Sequence, residues 1–234
     1  HQWSRLFSAS CLTRRQAAFN LVDYYARAAG VEAGPRRLFF TVPDTARARA
    51  DEVLRAAGLA AGNPLVAFQL GASRPVRRWP AAHYVALGRL LAQRLGARIL
   101  LCGGGGDRAV AEEIRTALGE TAIDVCGRTS IAELGALLAR ADVLVAPDTG
   151  PMHMAVAVGT PVVALFFGPA LPFDTGPYAP DHVCLHAGVA CAPCDHNVTC
   201  LEPFCRDTLA PEAVAEAVKM HEAEEAIKLG AQEI

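Results

Sequence analysis

The sequence predicts an α/β fold, a Rossmann-like parallel sheet of about six strands with helices on both faces. From Pro64 onward, short apolar segments alternate with longer segments of helical period, and turns rich in Gly, Pro, Asp and Ser separate them. The strand candidates are almost entirely apolar, as expected for strands that helices cover on both faces. Alternation of this kind indicates βαβ units, in which ligands bind beyond the carboxyl ends of the strands.

The individual elements follow from apolar period, caps and breakers. Strands are predicted at 65–70, 98–102, 122–126, 143–146, 162–167 and 182–186. Helices are predicted between them at 80–95, 107–118, 130–140 and 151–158, with a last helix at 211–229. Two further helices precede the first strand, at 13–30 with Thr13 as its cap and at 44–58 with Gly58 as its stop. We therefore expect a connecting region over 1–63 and one domain over 64–234.

Composition excludes several classes of function. The chain has 234 residues, of which 52% are hydrophobic and 20% charged, and its formal net charge is −2. This is the composition of a globular domain without a basic patch, so no nucleic-acid partner is expected. The uncharged run 154–173 is long enough to span a bilayer, but Gly and Pro residues interrupt it. Since no leader peptide is visible either, we expect a cytoplasmic protein without a transmembrane segment.

The segment 143–163 reads as strand, turn, helix, turn, strand. Asp148, Thr149 and Gly150 are turn and N-cap types, and Pro151 suits the first helical position, so His153 falls in the first turn. A helix start presents unpaired N–H groups and the positive end of the helix dipole, which together favour an anion. The alternative is structural: Asp148 only caps the helix and His153 packs against a neighbour.

A second loop, 71–80, follows the first predicted strand. Gly71 and Ser73 allow a ligand to approach the backbone closely, and Arg74, Arg77 and Arg78 suit a phosphate clamp. The alternative is that these arginines are solvated and that the Trp at position 79 packs against the next helix.

A third loop, Gly103–Gly106, follows the second predicted strand. Gly104, Gly106 and Ala109 fit a dinucleotide fingerprint, and Asp124 stands where an acid that binds ribose would be expected. This pattern favours an NAD-linked oxidoreductase as an alternative function. The fingerprint normally follows the opening strand of its sheet, however, and here a complete strand-helix unit precedes it.

Four of the eight cysteines lie close together, at Cys191, Cys194, Cys200 and Cys205. Reduced thiols at this spacing favour a metal over disulfides, and four thiolates suit a tetrahedral structural zinc. Free or disulfide-linked thiols are the alternative, and His196 or Cys184 would also serve as ligands. The segment also permits a third class of function, a non-enzymatic interaction domain that a zinc ion stabilises.

Two blocks of the sequence resemble a known family. Residues 148–155 (Asp-Thr-Gly-Pro-Met-His-Met-Ala), followed by 159–166 (Gly-Thr-Pro-Val-Val-Ala-Leu-Phe) and by Gly-Pro at 168–169, resemble the donor-binding signature of the heptosyltransferases, glycosyltransferase family 9. The loop 71–80 is also similar, with Gly-Ala-Ser followed by a basic residue two positions before Trp. The family commonly has lysine where this chain has Arg77.

The resemblance implies the C-terminal half of a two-domain GT-B transferase of lipopolysaccharide-core synthesis, with residues 1–63 as interdomain linker and helices. It implies an ADP-heptose-like nucleotide-sugar donor, a lipid A-core acceptor and inversion at the anomeric carbon, without a cofactor. The implied donor-binding residues are Ser73, Arg77, Asp107, Asp148, Thr149, Gly150 and His153, and Arg77 and His153 are also implied to stabilise the leaving diphosphate. The acceptor site and general base are expected in an N-terminal domain outside this sequence. We therefore expect the chain to bind donor but to transfer sugar negligibly, and the acceptor suggests peripheral attachment at the inner membrane.

Overall fold

The computed structural model describes residues 20–32, 34–194 and 200–230, the last ten of these by backbone alone. Over these residues, six parallel strands form one sheet in the order β3-β2-β1-β4-β5-β6. The strands are β1 (Leu65–Gln69), β2 (Arg98–Cys102), β3 (Ala122–Asp124), β4 (Val143–Pro147), β5 (Val162–Phe166) and β6 (Val183–His186). The predicted fold class is confirmed.

The helices are α1 (Leu21–Ala28), α2 (Asp44–Ala56), α3 (Ala81–Leu95), α4 (Arg108–Leu118), α5 (Ile131–Leu138), α6 (Gly150–Val158), α7 (Pro172–Thr175) and α8 (Pro211–Gly230). Short 3-10 turns at Pro75–Arg77, Gly105–Asp107 and Phe204–Arg206 lie in the loops. Gly96 and Gly159 end α3 and α6 in the left-handed conformation, which glycine adopts without strain.

Several elements differ from the prediction by one or two residues, and three differences have a local cause. The first helix begins at Leu21, because the Asn20 side chain accepts the Val22 N–H at 3.0 Å and caps it there; residues 13–19 lie outside the described part. Strand β3 ends at Asp124, two residues earlier than predicted, where the Asp124 carboxylate accepts the Cys126 N–H at 2.9 Å. Helix α7 was not predicted, since a single turn offers too few residues to show a helical period.

Two hydrophobic cores lie on the two faces of the sheet. Along β1, Val66 and Phe68 face α3, α4 and α8, whereas Leu65 and Ala67 face α2, α5 and α6. Fully burying one large apolar side chain stabilises a fold by about 1.5–3 kcal/mol, so such strands are well anchored. Ala46, Ala50 and Leu54 of α2 belong to the second core, so the region predicted as a linker contributes part of this core.

The strand order reverses between β1 and β4. From β1 the chain proceeds outward to β2 and β3, and from β4 it proceeds the other way to β5 and β6. Since β1 and β4 are parallel neighbours, the loops that leave their carboxyl ends diverge and leave a crevice between them. The fold thus brings together residues 70–80 and 148–150, the two segments that carry the strongest sequence signals.

Candidate anion-binding site

The amino terminus of α6 forms one wall of the crevice. The helix begins at Gly150, and Thr149 is the N-cap in an extended conformation, but no side chain caps the helix. The Thr149 hydroxyl donates instead to the Pro147 carbonyl at 3.2 Å. Pro151 therefore occupies the second helical position rather than the predicted first. Asp148 therefore does not cap the helix, contrary to that part of the structural alternative, and the helix start keeps its electrostatic attraction for an anion.

Arg77 and Asp148 close the crevice from its two sides. Arg77 Nη1 lies 3.1 Å from Asp148 Oδ2, and the two side chains are only 18% and 8% exposed. Arg77 Nε is buried without a hydrogen-bond partner. A buried polar group left unpaired costs about 1–3 kcal/mol, which an oxygen of an anionic ligand would offset. Asp148 thus holds the guanidinium in place while Arg77 keeps a donor available.

His153 lies on α6 one turn from its start and is half-buried. Burial lowers the pKa of this imidazole from its ordinary value, and the charge of Asp148 opposes part of that effect. The neutral imidazole is therefore favoured at neutral pH. In that form one ring nitrogen carries a proton that can be donated to a ligand oxygen.

The other polar residues of the 71–80 loop behave differently from Arg77. Ser73 is exposed in the loop that follows β1. Arg78 Nε donates to the Ala72 carbonyl at 3.0 Å, and Arg78 Nη1 lies 3.7 Å from Asp107 Oδ1. Arg77 thus reaches the crevice, whereas Arg78 joins its own loop to the glycine-rich loop. The Trp at position 79 is buried, its Nε1 donating to the Leu209 carbonyl at 3.2 Å.

Asp107 is held within the protein. It is buried, and its Oδ2 accepts the Gly104 N–H at 2.9 Å. A Cβ atom at Gly71 would lie 2.1 Å from the same oxygen, so the backbone of the 71–80 loop packs directly on this carboxylate. Asp107 therefore joins the loops that follow β1 and β2. Whether it also contacts a ligand, as predicted, stays a prediction.

The glycine-rich loop lacks the features that a dinucleotide site needs. It follows β2 rather than β1, the strand from which the sheet is wound. Asp124, the acid that would bind ribose, is already engaged: Arg128 Nη2 lies 3.1 Å from its Oδ2, and its Oδ1 accepts the Cys126 N–H. The oxidoreductase alternative therefore has no support in this geometry.

A cavity of about 260 Å³ lies beside the end of β3, between α2 and α5. Its charged lining is paired: Arg49 with Glu52 at 2.6 Å, and Glu133 with the backbone of Ser130 at 2.7 Å. Ser130 Oγ in turn accepts the Glu133 N–H at 3.2 Å, which completes a capping box at the start of α5. These pairings are sufficient to explain the charges around this cavity.

The cysteine-rich segment shows reduced thiols but no metal site in the described residues. Cys191 and Cys200 are exposed, Cys194 is half-buried, Cys205 is buried, and none of them forms a disulfide. Among the residues that the structure describes, no group of three or more His, Cys, Asp or Glu could hold a metal ion. The predicted zinc site at these four cysteines therefore lacks support from the geometry. His196, named as a substitute ligand, lies outside the described residues.

No described helix combines the length and the apolar character that crossing a bilayer requires. The uncharged run at 154–173 is instead divided between α6, β5 and the start of α7.

A doubly wound parallel sheet, with a guanidinium and an uncapped helix start in its switch-point crevice, is the arrangement at which α/β domains commonly bind anionic ligands. Residues 16–204 match the family model for glycosyltransferase family 9 (heptosyltransferase). The chain belongs to this family, and the resemblance in its sequence is confirmed.

Relatives agree with this assignment, and solved structures agree with the fold. Lipooligosaccharide heptosyltransferase 2 of Haemophilus influenzae is 39% identical over 119 residues, which cover 49% of this chain and 34% of that protein. The glycosyl transferase family 9 structure from Veillonella parvula has a TM-score of 0.76 at 24% identity, covering 89% of this chain and 62% of that one. E. coli heptosyltransferase WaaC with ADP has a TM-score of 0.59 at 22% identity, covering 85% and 54%. The chain thus spans about a third of the curated Haemophilus relative.

Sequence reasoning named both Arg77 and Asp148 as site residues, but not as a pair. It also assigned Asp107 to donor binding, whereas in the structure Asp107 connects the loops that follow β1 and β2. Pairing across two loops that are seventy residues apart leaves no local signal, since neither partner lies within one turn or one strand of the other.

Proposed function

We propose that this chain is the donor-binding, C-terminal half of an inverting GT-B glycosyltransferase that uses an ADP-heptose-like nucleotide sugar. The observation that carries the proposal is Arg77, which Asp148 holds at the start of α6 with a buried N–H unpaired. A diphosphate is the part of a nucleotide sugar that such a site fits, since it offers several anionic oxygens to a guanidinium and to helix amides. The structure of E. coli heptosyltransferase WaaC with ADP supports adenosine diphosphate as the carrier.

The proposed chemistry is stabilisation of the leaving group. When the bond between the anomeric carbon and the diphosphate breaks, negative charge accumulates on the departing phosphate oxygen. Arg77, the N–H groups of Thr149 and Gly150, and the His153 imidazole donate to these oxygens. Because they are already oriented, they stabilise the charge without reorganisation, which is often the largest single contribution to catalysis. The proposal assigns no cofactor to this step.

The remaining donor-binding residues have supporting roles. Ser73 is exposed in the loop that follows β1, and we propose that its hydroxyl contacts the nucleotide. Asp148 orients Arg77, and Asp107 fixes the loop on which Ser73 lies through its contacts with Arg78 and Gly71.

The acceptor site and the general base are proposed to lie in an N-terminal domain outside this chain. The relative from Haemophilus is named for lipooligosaccharide, which supports a lipid A-core acceptor. A lipid-anchored acceptor and a nucleotide-sugar donor meet at the cytoplasmic side of the inner membrane. We accordingly propose a cytoplasmic protein that works peripherally at that membrane.

Calorimetric titration of the chain with ADP and with an ADP-sugar tests the proposal. We expect both to bind, and we expect Arg77→Ala to weaken binding about ten- to hundredfold, because a hydrogen bond to a charged group contributes about 1.5–3 kcal/mol. His153→Ala should weaken binding as well. Arg115→Ala is the matched control, since Arg115 pairs with Glu112 on the surface of α4 at 2.6 Å, away from the crevice. If the wild-type chain failed to bind ADP, or if Arg77→Ala bound it equally well, the proposal would be wrong.

A further inference from the structure

The segment 203–209 packs against the side of the loop that carries Arg77. Cys205 anchors this segment, because its side chain is 4% exposed and belongs to the core formed with α3 and α8. Within the segment, the Thr208 hydroxyl donates to the Cys205 carbonyl at 2.8 Å. The segment is thus fixed to the hydrophobic core on this face of the sheet.

Two hydrogen bonds join this segment to the 71–80 loop. The indole at position 79 donates to the Leu209 carbonyl at 3.2 Å, and Arg206 Nη1 donates to the Pro75 carbonyl at 3.2 Å. The two hydrogen bonds hold the loop on either side of Arg77, at Pro75 in the 3-10 turn Pro75–Arg77 and at Trp79 after it. Val76, in the middle of the turn, packs on Gly168, where an added Cβ would lie 3.0 Å from Val76 Cγ2.

Arg206 makes the contact that is most directly connected to Arg77. Its Nε donates to the Pro203 carbonyl at 3.3 Å while Nη1 donates to Pro75. The Pro75 carbonyl also accepts the Arg78 N–H at 3.0 Å, the bond that closes the turn. A single guanidinium therefore joins the anchored segment to the turn whose last residue is Arg77.

We propose that Arg206 is a positioning residue for nucleoside diphosphate binding: it orients Arg77 by holding the Pro75–Arg77 turn against the segment 203–209. This inference rests on the proposed function and extends it to a residue that lies in neither block of the family resemblance. Two of its N–H groups are used on backbone carbonyls, so its effect on the ligand passes through Arg77. A planar guanidinium suits this role because its donors diverge towards two acceptors, which the single ammonium of lysine cannot reproduce.

A double-mutant cycle tests the proposal, with ADP affinity of the chain measured by calorimetry. We expect Arg206→Ala to weaken ADP binding about five- to twentyfold, since small displacements of a binding group are costly. In the Arg77→Ala background the same change should have almost no further effect, because the group it positions is gone. A structural defect, a direct contact with ADP or a general charge effect would persist in both backgrounds.

Two further variants complete the experiment. Arg206→Lys keeps the charge and reaches one carbonyl, so its affinity should lie between those of wild type and Arg206→Ala; it also substitutes for the alanine variant if that does not fold. Arg94→Ala is the matched control, because Arg94 also joins two elements, with Nη1 2.8 Å from Glu216, but lies near the end of α3 that is remote from the loop. Equal losses from Arg206→Ala in both backgrounds, or wild-type affinity in Arg206→Ala, would overturn the positioning role alone. Absence of ADP binding by the wild-type chain would overturn the proposed function and this role together.

Discussion

Asp148 determines the electrostatics of the crevice. It is almost fully buried and makes its ion pair with an arginine from another loop rather than with its own helix. It also raises the pKa of His153 against the lowering effect of burial. The buried Asp148 carboxylate therefore orients the Arg77 guanidinium, the cation that a diphosphate would need, and holds it in the crevice.

Loss of the Asp148 carboxylate should therefore cost stability. In Asp148→Ala, Arg77 would remain largely buried without its counter-charge, and we expect the free energy of unfolding to fall by about 2 kcal/mol. Urea denaturation measures this change. Asp51→Ala is the control, because it breaks an exposed pair with Arg140 at 2.7 Å and should cost less than about 1 kcal/mol. Equal losses in the two variants would contradict the importance of burial at Asp148.

At the scale of elements, the site depends on how closely the loops after β1 and β2 pack. The Gly71 backbone lies against the Asp107 carboxylate, and Arg78 reaches the same side chain from the other end of the loop. Glycine is required at position 71 for its lack of a side chain rather than for its conformational freedom. The 71–80 loop is consequently held at both ends, by Asp107 on one side and by the segment 203–209 on the other.

Gly71→Ala should disturb this packing. The added Cβ would lie 2.1 Å from Asp107 Oδ2, so the carboxylate must move, and we expect a loss of about 1–3 kcal/mol in stability together with weaker ADP binding. Thermal unfolding and calorimetry measure the two effects. Gly105→Ala is a matched control on the adjoining loop, since nothing lies within 4 Å of a Cβ there. If both variants behaved like wild type, the contact between Gly71 and Asp107 would not matter for the site.

At the scale of the whole molecule, the order of the strands in the sheet determines where the site lies. A doubly wound sheet with two separate hydrophobic cores has its crevice where the order reverses, and the chain supplies both walls of that crevice from β1 and β4. Under the proposed function, this chain is therefore sufficient to bind the nucleotide. Transfer of the sugar requires an acceptor and a base in addition.

Binding and catalysis should accordingly separate. Incubated with an ADP-sugar and a lipid A-core acceptor, the chain should bind the donor but form negligible glycosylated product, because the proposed general base lies in the other half of the enzyme. Mass spectrometry of the acceptor measures product, and a full-length family 9 heptosyltransferase is the positive control. Appreciable transfer by this chain would place the base within residues 1–234.

Much of the fold was predictable because its signals are local. Apolar segments and stop residues placed the six strands to within two residues, and a helix start rich in turn residues identified the α6 amino terminus. Helix α7 and the cap at Asn20 were missed because a single turn and an isolated Asn carry little periodic information.

The sequence by itself determined the class of fold, the family and the residue types of the crevice, since apolar period, turn chemistry and motif order are properties of neighbouring residues. Only the tertiary structure decided which of those residues meet. The ion pair between Arg77 and Asp148, the packing of Gly71 on Asp107 and the bond from Arg206 to Pro75 join segments far apart in the chain. Their physical cause is the order of the strands, which brings distant loops to the same edge of the sheet.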